Sequence, residues 1–196
     1  SLGFSPNDIT DVFFTHLHFD HCGGATQREG GKIVPVFKNA RFFCSLIHWE
    51  WATISPNPRE KASFLKENLL PLKDSGQLNL YSSDEGGFCS ELDLDLILVD
   101  GHTEKMALPK IKYKGKKILF ASDLIPTTGH IPVPYLMGYD VRPLVTMEEK
   151  STILKDCVDK DMVLFMQHDP INEIVVLKKT EKGVGFDTGT TLNEFF

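Results

Sequence analysis

The sequence predicts an α/β fold built in layers, and three observations carry that expectation. Short apolar runs at 11–15, 96–100, 118–122 and 163–167 have the length and composition of buried strands. Each is followed at once, or nearly so, by a His or an Asp: His16, His102, Asp123 and His168. Helix signals lie between the runs, and no repeat, low-complexity tract or Ser/Gly linker divides the chain, so a single domain over 1–196 is expected.

The helices can be placed by their starts. Thr146-Met-Glu-Glu149 has the form of a capping box, with Thr146 capping the first turn and Glu149 reaching back, and predicts a helix to about 158. Pro58 at a first turn predicts a second helix to about 69, with Phe64 and Leu65 on its apolar side. A third begins near Ser45 and carries His48, Trp49 and Trp51. The Gly-containing stretches 112–117 and 179–183 read as hairpin turns.

Composition sets limits on function. The chain has 196 residues, 41% of them hydrophobic, and a formal charge of −6, with no basic tract of the kind that tracks phosphates, so no nucleic-acid partner is expected. It has no apolar run long enough to cross a bilayer and no secretion signal at its start, so no membrane partner is expected either. Cys22, Cys44, Cys89 and Cys157 form no CxxC pair, which fits reduced thiols in a cytoplasmic protein.

Rigid sheets hold the loops at their strand ends in fixed relation, so four strands that each deliver a His or Asp predict one shared site at one edge. The densest part is His16-Leu-His18-Phe-Asp20-His21. In an extended segment alternate side chains share a face, which would point His16, His18 and Asp20 into one cavity; His21 then needs a turn, for which Gly23-Gly24 give freedom. Imidazole and carboxylate donors suit zinc, with manganese, iron and cobalt as alternatives.

This HxHxDH stretch, continued by His102, Asp123 and His168, resembles the metallo-β-lactamase superfamily, and within it the branch of lactone-hydrolysing quorum-quenching enzymes and methyl parathion hydrolases. The resemblance implies an αββα sandwich, two mixed β-sheets between helices, whose N-terminal strands this sequence lacks, so that it is expected either to be a fragment or to have those strands supplied otherwise. It also implies a first divalent ion on His16, His18 and His102, a second on Asp20, His21 and His168, and Asp123 bridging them. The implied activity is hydrolysis of a small ester-like bond, a lactone or phosphotriester, by a metal-bridging hydroxide, with Asp20 passing a proton to the leaving group. One departure follows the third His, where Asp100-Gly-His102-Thr-Glu-Lys stands in place of a Pro-Gly-His-Thr-Pro-Gly-like stretch.

The Pro- and Gly-rich segment 124–140 reads as a loop beside the metals. Its Tyr139 is the candidate donor to the developing oxyanion, with Tyr135 and His130 as substrate-binding candidates and Trp49 as a further pocket residue. The expected partners are a small-molecule substrate and, optionally, a second copy in a homodimer. Two other classes compete: a metal-dependent nuclease or phosphodiesterase, and a metal-binding module without turnover. A flavodiiron-type oxidoreductase is disfavoured because His18 stands where those proteins carry Glu.

Overall fold

The computed structural model describes residues 3–82 and 87–196. The chain divides into two compact units, Ser1–Glu85 and Gly86–Phe196.

In the first unit a parallel sheet of three strands is ordered β1 (Asp11–Phe13), β4 (Arg41–Ser45) and β5 (Leu78–Tyr81). Its central strand β4 buries Phe42, Phe43, Cys44 and Ser45 in succession, as a strand covered on both faces must. A hairpin of β2 (Thr26–Glu29) and β3 (Lys32–Pro35) stands apart from that sheet. Helices α1 (Phe19–Cys22), α2 (Leu46–Thr53) and α3 (Lys66–Asp74) complete the unit. Its core gathers Phe14, Leu17, Phe42, Trp49, Leu69 and Leu72.

The second unit has a seven-stranded mixed sheet among its described residues, ordered β12-β11-β10-β9-β8-β7-β6. In chain order the strands are β6 (Phe88–Cys89), β7 (Leu94–Val99), β8 (Met106–Tyr113), β9 (Lys116–Phe120), β10 (Met162–Phe165), β11 (Ile174–Thr180) and β12 (Gly183–Thr190). Helix α4 (Pro143–Asp159) crosses between the parallel neighbours β9 and β10 and buries Ile153, Leu154 and Cys157 against Leu119 and Leu164. The short α5 (Leu192–Phe195) follows β12. Two antiparallel reversals through β8 make β7 run the same way as β9 and β10. The C-terminal ends of those three strands therefore share one edge of the sheet.

Three local expectations need correction. Asp20 and His21 lie on the helical turn Phe19–Cys22, which starts directly after His18, because the His18 carbonyl accepts the N–H groups of both His21 and Cys22. The alternation that serves His16 and His18 therefore stops before Asp20. Helix α4 begins at Pro143, one turn earlier than the Thr146 box predicts; Pro supplies the first-turn φ, Thr146 Oγ1 bonds back to the Arg142 carbonyl, and Glu149 is engaged elsewhere. Around Pro58 the chain makes only turns and a 3₁₀ segment at Lys61–Ser63, and the helix proper waits until Lys66. Both hairpin turns form as expected, with Gly115 at φ 78° and Gly183 at φ 114°.

Candidate metal centre

The donor residues follow a common local rule. His16, His102, Asp123 and His168 each lie three residues beyond the last residue of a strand, Phe13, Val99, Phe120 and Phe165 respectively. The strands are locked by their ladders and the donors sit one short step past them, where the backbone is free to turn its side chains inward.

In the first unit the rings of His16 and His18 stand 4.7 Å apart, centroid to centroid, and those of His16 and His21 4.0 Å apart. Asp20 Oδ2 lies 3.4 Å from His21 Nε2, and its side chain is the exposed member of the group. Partners behind the rings set their orientation. The Thr15 hydroxyl is 3.2 Å from His16 Nδ1, and Glu60 Oε2 is 3.1 Å from His18 Nε2.

Glu60 is itself almost wholly buried. Its other oxygen accepts hydrogen bonds from Trp51 Nε1 at 2.6 Å and Asn57 Nδ2 at 2.9 Å. His48, buried on α2, accepts the Leu17 N–H at Nε2 over 2.9 Å and so pins the backbone between His16 and His18. The Thr15 and Glu60 contacts fix which ring nitrogen of His16 and His18 turns toward the donor cluster, and the His48 contact fixes the backbone between them.

In the second unit the Asp123 carboxylate stands between two imidazoles. Oδ2 is 3.3 Å from His102 Nε2 and Oδ1 is 3.1 Å from His168 Nε2. Ser122, just before it, takes the left-handed φ of 44°, an uncommon state for a residue with a Cβ and a local strain that the surrounding packing must hold. On the far side of His102, Nδ1 meets Asp140 Oδ1 at 3.0 Å, and both side chains are about 1% exposed. Glu149 accepts the N–H groups of Asp100 and Gly101 at 2.7 and 3.1 Å, which fixes the turn leading into His102. Burial pushes the Glu149 carboxyl up, against the pull of those two N–H groups.

Asp169 performs the same task behind His168. It accepts from the N–H and hydroxyl of Thr128, the backbone N–H groups of Ile171 and Asn172, and Asn172 Nδ2. Partial burial opposes ionisation, but the hydrogen bonds from Thr128, Asn172 and Ile171 outweigh it and hold this carboxyl far below the usual range.

These donor sets fit divalent ions of borderline softness. Imidazole and carboxylate groups converge, and the second nitrogen of His16, His18 and His102 meets a hydroxyl or carboxylate, the arrangement that fixes a ligating tautomer. If Glu60 holds His18 as the structure shows, Glu60→Ala should weaken zinc affinity roughly 10- to 100-fold while leaving the fold intact. Chelator competition reads that loss. An unchanged affinity would show that Glu60 only packs.

The remaining candidates are placed differently. Tyr135 and Tyr139 project from the 124–140 loop with 62% and 78% exposure. His130 is half-buried, its Nδ1 2.8 Å from Thr127 Oγ1, and burial draws its pKa down, with the charge of Lys150 adding to the effect. Trp49 is 5% exposed and its indole packs within the first unit's apolar core; Trp51, close by, donates to Glu60. Cys22 donates to the Leu17 carbonyl at 3.3 Å, and burial, aided by the Asp20 charge, pushes its thiol up to about 12, which leaves it a packing residue.

Among solved structures the fold is shared with a probable metal-dependent hydrolase from Staphylococcus aureus, at 25% identity and TM-score 0.77, covering 96% of this chain and 64% of that one. It is shared with hydrolase AbOPH of the beta lactamase superfamily at 18% identity and TM-score 0.78, covering 94% and 65%. The dizinc quorum-quenching lactonase AidC, solved with the product N-hexanoyl-L-homoserine, matches at 23% identity and TM-score 0.73, covering 97% and 68%. The chain thus spans about two-thirds of the length of these relatives. No curated protein matches it significantly. The model of the metallo-beta-lactamase superfamily matches residues 1–168, through the last of the seven donors, and the chain belongs to that superfamily.

Proposed function

We propose that this chain is a dinuclear metal-dependent hydrolase acting on a small ester-like bond, a lactone first and a phosphotriester second. The observation that carries the reading is the Asp123 carboxylate, one oxygen toward His102 and the other toward His168, the disposition of a carboxylate shared by two ions. His16, His18 and His102 would hold one ion and Asp20, His21 and His168 the other, with Asp123 common to both. When bound, such a pair supplies a water acidic enough to attack at neutral pH and an electrophile for the oxygen of the bond attacked.

The chain's own residues do the rest. Glu60 and Asp140 fix the orientation of His18 and His102, so that no reorganisation is needed as charge develops. Asp20 is the least buried carboxylate of the set and is suited to accept a proton and pass it to the leaving oxygen. Tyr139, with Tyr135 and His130 as the other candidates on the loop after Asp123, would donate to an oxyanion.

Zinc is favoured by the imidazole-rich donor set and by the dizinc character of AidC. Among the described residues no helix is long and apolar enough to cross a membrane, and the four cysteines are buried and unbridged, which supports a reducing, cytoplasmic setting. The expected partner is a small molecule, with a homodimer as a further proposal.

The test is a panel of lactones, phosphotriesters, β-lactams and a phosphodiester, assayed with the zinc- and manganese-loaded protein. Lactone or phosphotriester turnover should exceed that of the other classes by about tenfold or more. Equal turnover after metal stripping would overturn the mechanism, and a preference for the phosphodiester would favour the nuclease class.

A further inference from the structure

Lys150 is the feature of the second unit that the seven donors leave unexplained. It lies on α4, is 0% exposed, and has no carboxylate within salt-bridge distance among the described residues. Its ammonium donates to three carbonyls of one loop: Tyr135 O at 2.7 Å, Pro132 O at 3.1 Å and Val133 O at 3.4 Å. A buried cation is costly unless its donors are taken up, and here backbone dipoles take them up.

The loop needs such an anchor. Between Ile131 and Asp140 it forms no regular element, and Pro132 and Pro134 have no N–H to give. The carbonyls that Lys150 collects belong to its first half. Its second half ends at Asp140, whose carboxylate meets His102 Nδ1 at 3.0 Å, and just beyond it Val141 N donates to the His102 carbonyl. Burial pulls the Lys150 ammonium down to about 8, against the attraction of Asp140, so the group stays mainly charged at pH 7.

We propose that Lys150 is a positioning residue for His102: by gathering the carbonyls of Pro132, Val133 and Tyr135 it fixes the 131–140 loop in the shape that holds Asp140 against the His102 ring. The proposal rests on the reading of His102 as a metal ligand. It extends that reading to a residue that touches neither donors nor substrate. The same anchor would set the stance of Tyr135, whose carbonyl it binds and whose ring is exposed.

The test compares Lys150→Met, which keeps the aliphatic body and removes the ammonium, with Lys150→Arg, which keeps the charge and its donors. In metal-free protein at pH 7, amide exchange across 133–141 should speed up by about tenfold or more in Lys150→Met, with α4 and β10 unchanged. Zinc affinity should fall by about tenfold or more in the same variant, and Lys150→Arg should recover at least part of both. A loop that keeps its protection in Lys150→Met overturns the proposal, as does a looser loop with unaltered zinc affinity. If Lys150→Met does not fold, Lys150→Arg decides alone, with unchanged loop exchange and unchanged affinity supporting the anchor and loss of affinity without loosening of the loop overturning it. If the unaltered protein binds no zinc, the functional reading falls, while the exchange measurement still reports whether Lys150 anchors the loop.

Discussion

Asp123→Ala is expected to abolish turnover, by a factor of about 10⁴ or more, and to empty the metal centre. One side chain stands between His102 Nε2 at 3.3 Å and His168 Nε2 at 3.1 Å, so on the proposed dinuclear reading its removal would take a donor from both ions at once. The loss should go well beyond what a partner behind a ligand produces, since Glu60→Ala leaves every direct donor in place. Metal analysis and turnover should fall together. Asp123→Asn sharpens the test, because it preserves shape while removing the negative charge that two cations would share on the proposed reading, and it should bind at most one ion with affinity near the original. Wild-type metal content in Asp123→Ala would rule out the shared carboxylate.

The second large effect is on folding. Gly101 precedes His102 in the turn after β7, and α4 passes directly over it. A Cβ there would overlap the Thr146 hydroxyl and lie 2.5 Å from the Thr146 nitrogen and 2.6 Å from its Cα. Two of those three atoms are helix backbone, which cannot rotate away. Gly101→Ala must therefore push α4 off the sheet edge or twist the turn that Glu149 holds through the Asp100 and Gly101 N–H groups. Overpacking against backbone of this kind should cost about 3 kcal/mol or more, which in a chain of this size lowers the melting temperature by roughly 10 °C. A contrasting site is Gly24, where nothing lies within 4 Å of a built Cβ and Ala should be tolerated. Equal melting temperatures for the two variants would show that the approach of α4 to the turn is softer than its geometry indicates.

Both predictions start from residues whose identity is local and whose importance is not. The seven candidate donors are legible in the chain because their chemistry is carried by residue type and by short-range spacing: apolar runs make strands, and His16, His102, Asp123 and His168 each stand three residues past the end of one. In the second unit the strand ladder explains why three such residues gather, since β7, β9 and β10 point the same way. The α/β class and both hairpin turns follow from equally local signals.

The groups that orient the donors carry no such signal. Glu60 reaches His18 across 42 positions, Asp140 reaches His102 across 38, and Glu149 reaches Asp100 across 49. Contacts at that separation arise from how elements pack, so no periodicity or motif in one segment announces them, and Glu149 even imitates a capping residue of its own helix. Trp49 illustrates the converse, since an aromatic beside a candidate site is drawn inward by apolar burial once α2 packs on its unit's core. The amino-acid sequence by itself determined which side chains could bind metal and, for His16, His102, Asp123 and His168, the strand ends at which they stand. Only the tertiary structure decided which buried carboxylates, and which buried lysine, hold those side chains in place, because a charge can be taken out of water only where folding has already brought its partners to it.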